Sequence, residues 1–187
     1  MNTQDTICAI ATAQGGAIGV IRISGKDAIA ITDRIFTPVG KHPLPLSERK
    51  AYTMAFGHIC QDDGEIIDEV LIGLFKSPHS YTGEDCVEIS CHGSSFILQQ
   101  VMQLLIRKGC RAAGPGEFTQ RAFLNGKMDL SQAEAVADLI DAETAECAQN
   151  AALQLSGSIS RGVEQVYDGL MAVSYTHLRA HETPEHL

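Results

Sequence analysis

Asp85-Cys-Val-Glu-Ile-Ser-Cys-His92 alternates between two kinds of side chain. A strand repeats every two residues, so Val87, Ile89 and Cys91 fall on one face and Cys86, Glu88, Ser90 and His92 on the other. The first set belongs against a core. The second presents a carboxylate and an imidazole where a pocket can form. Beyond Gly93 the apolar period becomes that of a helix, with Ile97, Val101, Leu104 and Leu105 in register from Ser94 to Lys108 and Gly109 as its stop. A strand running straight into an amphipathic helix predicts a sheet with a covering helix.

Towards the N-terminus, Thr6–Thr12 and Ile18–Ser24 are short β-branched runs around Gln14-Gly15-Gly16-Ala17, which predicts a strand pair. Arg22 shares a face of the second strand with Ile18 and Val20. Ser24 and Asp27 are capping residues for a helix whose apolar positions are Ala28, Ile31 and Ile35 and which Pro38 ends. Residues 38–50 hold three of the six prolines and no periodicity, predicting a surface loop. Further strands are expected over Ala51–Ile59 and Ile66–Lys76, joined by the turn Gln61-Asp62-Asp63-Gly64.

Towards the C-terminus, Gly114-Pro115-Gly116 leads into a short helix, Glu117–Leu124. After Asn125-Gly126, the capping-box pattern Ser131-Gln-Ala-Glu134 opens a long alanine-rich helix. The architecture expected is therefore α+β: a mixed or antiparallel sheet with covering helices, then an all-α segment whose apolar face needs further helices to cover it. The expected divisions are residues 1–120 for the sheet domain and 121–173 for the start of a helical domain. Residues 174–187 read as a non-native, disordered tail.

A formal net charge of −9 provides no overall basic field, so RNA is not gripped here by bulk charge. No apolar run is long enough for a membrane span and Met1–Asp5 carry no basic leader, so a cytoplasmic location is expected. The six cysteines include no C-x-x-C pair and read as reduced thiols. A phosphate loop, G-x-x-x-x-G-K-[ST], does not occur, since Gly126-Lys127 is followed by Met128; nor does a dinucleotide fingerprint or a nucleophile elbow.

Arg22 sits in an apolar strand and needs a partner, and Glu88 is the carboxylate best placed to face a pocket. The plainer reading is a cross-strand ion pair with no further role. The stretch from Gly114 to Lys127 combines permissive glycines, a helix N-terminus and a terminal lysine, a combination suited to an anionic tail but also common as a plain turn. His92 is a base or ligand, or a hydrogen-bonded structural residue. In the tail, His177, His181 and His186 have a spacing seen in metal sites, but Pro184 and the chain end favour a frayed segment without metal.

Five stretches together resemble the N-terminal part of the MnmE (TrmE) family of tRNA-modifying GTPases. They are Asp5-Thr-Ile-Cys-Ala-Ile-Ala-Thr12; Gly19-Val-Ile-Arg-Ile-Ser-Gly25; Ser80-Tyr-Thr-Gly-Glu-Asp-Cys-Val-Glu-Ile-Ser-Cys-His-Gly93; the run from Pro115 to Leu130; and that from Gln132 to Ala142. The resemblance implies an aminomethyltransferase-like fold that holds 5-formyl- or 5,10-methylene-tetrahydrofolate as a one-carbon source and forms a homodimer. It carries the folate contacts onto Arg22, Glu88 and Lys127 and assigns no catalytic residue here. It also implies that the full-length protein, with the FAD protein MnmG, installs a carboxymethylaminomethyl-type group on the wobble uridine of tRNA. That work is driven by a GTPase domain that uses GTP, magnesium and potassium. Neither the GTPase domain nor the family's C-terminal cysteine motif falls within these residues, so catalysis by this chain alone is left open. The resemblance also implies that a C-terminal segment of the family, outside these residues, reaches towards the pocket. A stand-alone folate-dependent one-carbon transferase and a purely structural dimerisation fragment are the alternatives.

Overall fold

The 86–92 stretch is a strand at the centre of a seven-stranded sheet, seen in a computed structural model that describes residues 5–13 and 15–181, with 175–181 by backbone alone. The strands are β1 (Ile7–Ile10), β2 (Ile18–Ser24), β3 (Phe36–Pro38), β4 (Thr53–Cys60), β5 (Ile66–Phe75), β6 (Cys86–His92) and β7 (Arg111–Ala112), in the order β3-β4-β5-β6-β2-β1-β7. Only β1 and β7 pair in parallel; every other neighbouring pair is antiparallel. The sheet is mixed, as expected. Its two edge strands, β3 and β7, are short, which limits the unpaired backbone offered to other chains.

Alternation works as the sequence implied. Ile21, Ile23, Ile72, Leu74, Val87 and Ile89 are buried on one face, under α1 (Ala28–Asp33) and α2 (Ser95–Arg107), whose Leu98, Val101, Leu104 and Leu105 complete the core. At Gly19 the layer is tight: a Cβ there would lie 2.7 Å from a methyl group of buried Leu98, so any larger residue forces that side chain of α2 to shift. The other face stays open and carries Ile18, Met54, Phe56 and Leu71, all substantially exposed.

Three local expectations change in this unit. Ser24 does not cap α1, since it ends β2 and its hydroxyl bonds Thr82 and Glu84, and Asp27 precedes the helix without a side-chain cap bond. Ile35 lies just beyond α1 and is buried, and Pro38 ends a three-residue edge strand, too short for any periodicity to reveal. The proline-rich loop is also not purely surface. A single 3-10 turn at Leu46–Glu48 buries Leu46 completely, and the Asp33 carboxylate accepts the Leu46 and Ser47 N–H groups at 2.6 and 3.0 Å.

The chain divides into two compact units between Lys127 and Met128. The first ends with α3 (Glu117–Leu124). In the second, the expected long alanine-rich helix is a hairpin of α4 (Leu130–Ile140) and α5 (Ala145–Leu155). Asp141 to Thr144 breaks it, since the Thr144 side chain caps α5 by accepting the Cys147 N–H at 3.2 Å. The capping box is real but starts two residues earlier than expected. Asp129 accepts the Gln132 N–H at 2.8 Å and Gln132 Oε1 accepts the Asp129 N–H at 2.9 Å, leaving Ser131 inside the helix. Ala135 and Ala151 are buried in this unit, and small side chains let helices approach closely.

The final helix, α6 (Ser158–His181), runs through the expected break at Ser174. Up to His181 the sequence has no proline to stop it, the first being Pro184. Residues 182–187, with His186, lie outside the described residues, as do the side chains of His177 and His181. No helix among the described residues is long and apolar enough to cross a membrane.

Candidate functional site

On the open face, the β2–β6 register sets Arg22 directly opposite Glu88. Arg22 Nε donates to Glu88 Oε1 at 2.9 Å, a terminal guanidinium nitrogen lies 2.9 Å from the same oxygen, and both side chains keep about a third of their surface exposed, 29% and 31%. This is the cross-strand ion pair that alternation implied, but its surroundings make it more than a pair. The Arg22 guanidinium lies 5.1 Å from the ring centre of Tyr81 and 5.8 Å from that of Phe118, within range of cation–π attraction.

Beside Glu88 the face is hollow. Its cross-strand neighbour on β5 is Gly73, which has no side chain to cover it. A depression of about 250 Å³ results, with Glu88 and Ser90 as polar groups and Tyr52, Met54 and Phe75 among its apolar walls. A second hollow of about 360 Å³ continues along the same face past Ile18, Phe56 and Leu71 to His92.

The third expected residue, Lys127, joins through a loop. Its ammonium donates to the Pro78 carbonyl at 3.1 Å, and residues 77–84 carry Tyr81 to Arg22. Two further bonds tie this loop to α3 and the turn after it: Tyr81 and Thr119 share a hydroxyl–hydroxyl bond of 2.8 Å, and Asn125 donates to the Thr82 carbonyl at 2.7 Å. Arg22 and Glu88 therefore touch, and Lys127 is fastened to the loop that brings Tyr81 against Arg22. The sequence reading missed Tyr81 and Phe118. Their only signal was an aromatic residue in each of two motifs rich in turn residues.

Beneath the loop lies a buried ionic network. Arg121, 3% exposed, donates to the Asp5 carbonyl at 2.8 Å, to Asp5 Oδ1 at 2.6 Å, to both Glu84 oxygens at 3.2 Å and to Glu117 at 3.2 Å. Arg111 closes the outer side, with bonds to Asp5 at 2.6 Å and to both Glu117 oxygens. Arg111, helped by the Gly114 N–H and Arg121, holds the Glu117 carboxyl down at about 2 against the opposing effect of burial. Arg111 and Arg121 likewise lower Asp5. A buried arginine matched to three carboxylates has its charge and its donors satisfied.

His92 has a partner that alternation did not reveal. Asp68, 8% exposed, accepts the His92 N–H at 2.8 Å and meets its Nδ1 at 2.7 Å. Neighbouring Cys91 is pushed up to about 11, first by burial and then by the Asp68 charge, which makes it a poor nucleophile. All six cysteines are free thiols.

Residues 6–127 match the family described as "GTP-binding protein TrmE N-terminus". The chain is 64% identical to the tRNA modification GTPase MnmE of Bacteroides fragilis over 168 residues, covering 90% of this chain and 36% of that protein. It is 63% identical to the protein of that name from Bacteroides thetaiotaomicron, and 51% to that from Flavobacterium johnsoniae, again with 36% of each relative covered. The chain thus spans little more than a third of the length of the relatives it matches. Because the family match takes in the whole sheet unit, including the Arg22–Glu88 pair and Lys127, the chain belongs to the family of the TrmE N-terminus.

Proposed function

We propose that this chain is the folate-binding, dimer-forming part of a tRNA-modifying GTPase. The observation that carries this reading is the Arg22–Glu88 pair, flanked by Tyr81 and Phe118 and open on the Glu88 side to a hollow that Gly73 leaves free. An ionised carboxylate only accepts hydrogen bonds, which suits the amino and ring N–H groups of a pterin. Arginine and lysine suit the carboxylates of a glutamate tail. Flat aromatic and apolar walls suit the ring itself. The residues present thus fit 5-formyl- or 5,10-methylene-tetrahydrofolate, with Arg22, Glu88 and Lys127 holding it. Bound folate supplies a one-carbon unit; the chain's own residues bind and orient it.

The rest of the reading concerns the longer protein of which relatives give the length. It works in the cytoplasm, hydrolyses GTP in a domain that uses magnesium and potassium, and acts with MnmG on the wobble uridine of tRNA. Two copies join through the sheet unit, and the exposed Ile18, Met54, Phe56 and Leu71 support an apolar contact there.

The test is calorimetric titration with 5-formyl-tetrahydrofolate. Glu88→Ala is expected to weaken binding at least tenfold, about 1.4 kcal/mol. Unchanged affinity in the folded variant defeats the assignment.

A further inference from the structure

We infer that Arg121 is the positioning residue of the Arg22–Glu88 site, holding the 77–84 loop against α3 so that Tyr81 and Phe118 stand at the right separation around Arg22. The inference rests on the folate reading for its binding readout. Tyr81 comes from the loop and Phe118 from α3, so the gap between them is set by whatever joins those two segments.

Arg121 is the buried, charged member of that joint, beside the Tyr81–Thr119 and Asn125–Thr82 bonds. It lies one helical turn from Phe118, and its guanidinium reaches out of α3 to grip both oxygens of Glu84 at the end of the loop. Glu84 in turn accepts the Ser24 hydroxyl at 2.7 Å, two residues along β2 from Arg22. Ser24 also bonds Thr82 at 2.7 Å, and Thr82 is completely buried. One side chain thus fixes the loop, the helix and the strand that together surround the pair. Arginine suits the task because its planar fork makes several directed bonds at once, where an ammonium acts as a single point charge.

Holding walls in place is worth as much to binding as the contacts themselves, since a displacement of about 1 Å removes the complementarity. Arg121 has no direct part to play, being buried and fully engaged in the network.

The experiment uses the full chain. Affinity for 5-formyl-tetrahydrofolate is measured by calorimetry, and the Arg22 Nε–H resonance is followed in 15N spectra, which report its bond to Glu88 and the nearby rings. Arg121→Lys is expected to weaken binding about tenfold and to shift that resonance. Glu84→Gln removes the charged acceptor through which Arg121 grips the loop and leaves Arg121 in place, so it remains informative should Arg121→Lys fail to fold; it is expected to shift the resonance the same way. The control, Arg111→Lys, alters the outer side of the same network and is expected to leave the resonance in place and affinity within about twofold. A resonance unmoved by Arg121→Lys or, where that variant does not fold, by Glu84→Gln, or moved equally by Arg111→Lys, overturns the inference. If the unaltered chain binds no folate, the folate reading fails and the resonance comparison alone decides the role of Arg121.

Discussion

Arg22 and Glu88 illustrate what single residues reveal in a sequence. Each breaks the apolar character of a strand, and parity alone puts both on the non-core face; the register then makes them partners. Asp68 was not legible in that way. It shares parity with the core residues Val70 and Ile72, yet its carboxylate bonds His92 at the end of the neighbouring strand. Tyr81 was hidden because loop geometry has no period, and Phe118 because an eight-residue helix does not reveal what its first turn faces. The ionic network makes a prediction at this scale. Glu117 titrates at about 2 in the folded chain against an ordinary 4.5, so the stability it contributes is complete above 4.5 and lost as pH falls from there towards 2. Asp5, also lowered, acts in the same direction. Thermal midpoints measured across that range should fall steeply for the natural chain and less steeply for Glu117→Gln; equal slopes would show that Glu117 is not the group responsible.

The elements were legible where a period could run for several residues, as in β2, β5, β6 and α2. They were not legible where three or fewer residues made a strand, as in β3 and β7, because alternation needs length to be seen. Capping chemistry located α4 only to within two residues, since Asp129 with Gln132 and Ser131 with Glu134 satisfy similar rules, and backbone conformation decides between them. The end of β6 is fixed more firmly than any period implies. Gly93 donates to the Ala17 carbonyl at 2.9 Å, and a Cβ at this position would lie 1.9 Å from the Gly16 carbonyl oxygen, a backbone atom that cannot turn aside. Gly93→Ala should therefore destabilise the sheet unit by about 2 kcal/mol, read as a lower urea midpoint at unchanged slope. A midpoint equal to that of the natural chain would mean that the β2 entry yields freely.

At the scale of the whole molecule, α+β class and a mixed or antiparallel sheet followed from the order of elements, but the strand order did not. Hairpin neighbours such as β4 and β5 can be read from a short turn. The insertion of β6 between β5 and β2 pairs β6 with residues 62 to 74 positions earlier in the chain and depends on which faces bury best together. The open apolar face is likewise a property of the assembled sheet, since Ile18, Phe56 and Leu71 come from three different strands. If that face joins two copies, Leu71→Asp should convert a dimer to a monomer in sedimentation experiments, because an unpaired charge at an apolar contact is costly to bury. A variant that still sediments as a dimer would place the contact elsewhere.

The central claim is that the hollow beside Glu88 is a folate site. Titrating the natural chain with 5-formyl-tetrahydrofolate should give saturable binding with one ligand per chain, displaced by other reduced folates. A flat titration at high concentrations of both would contradict it.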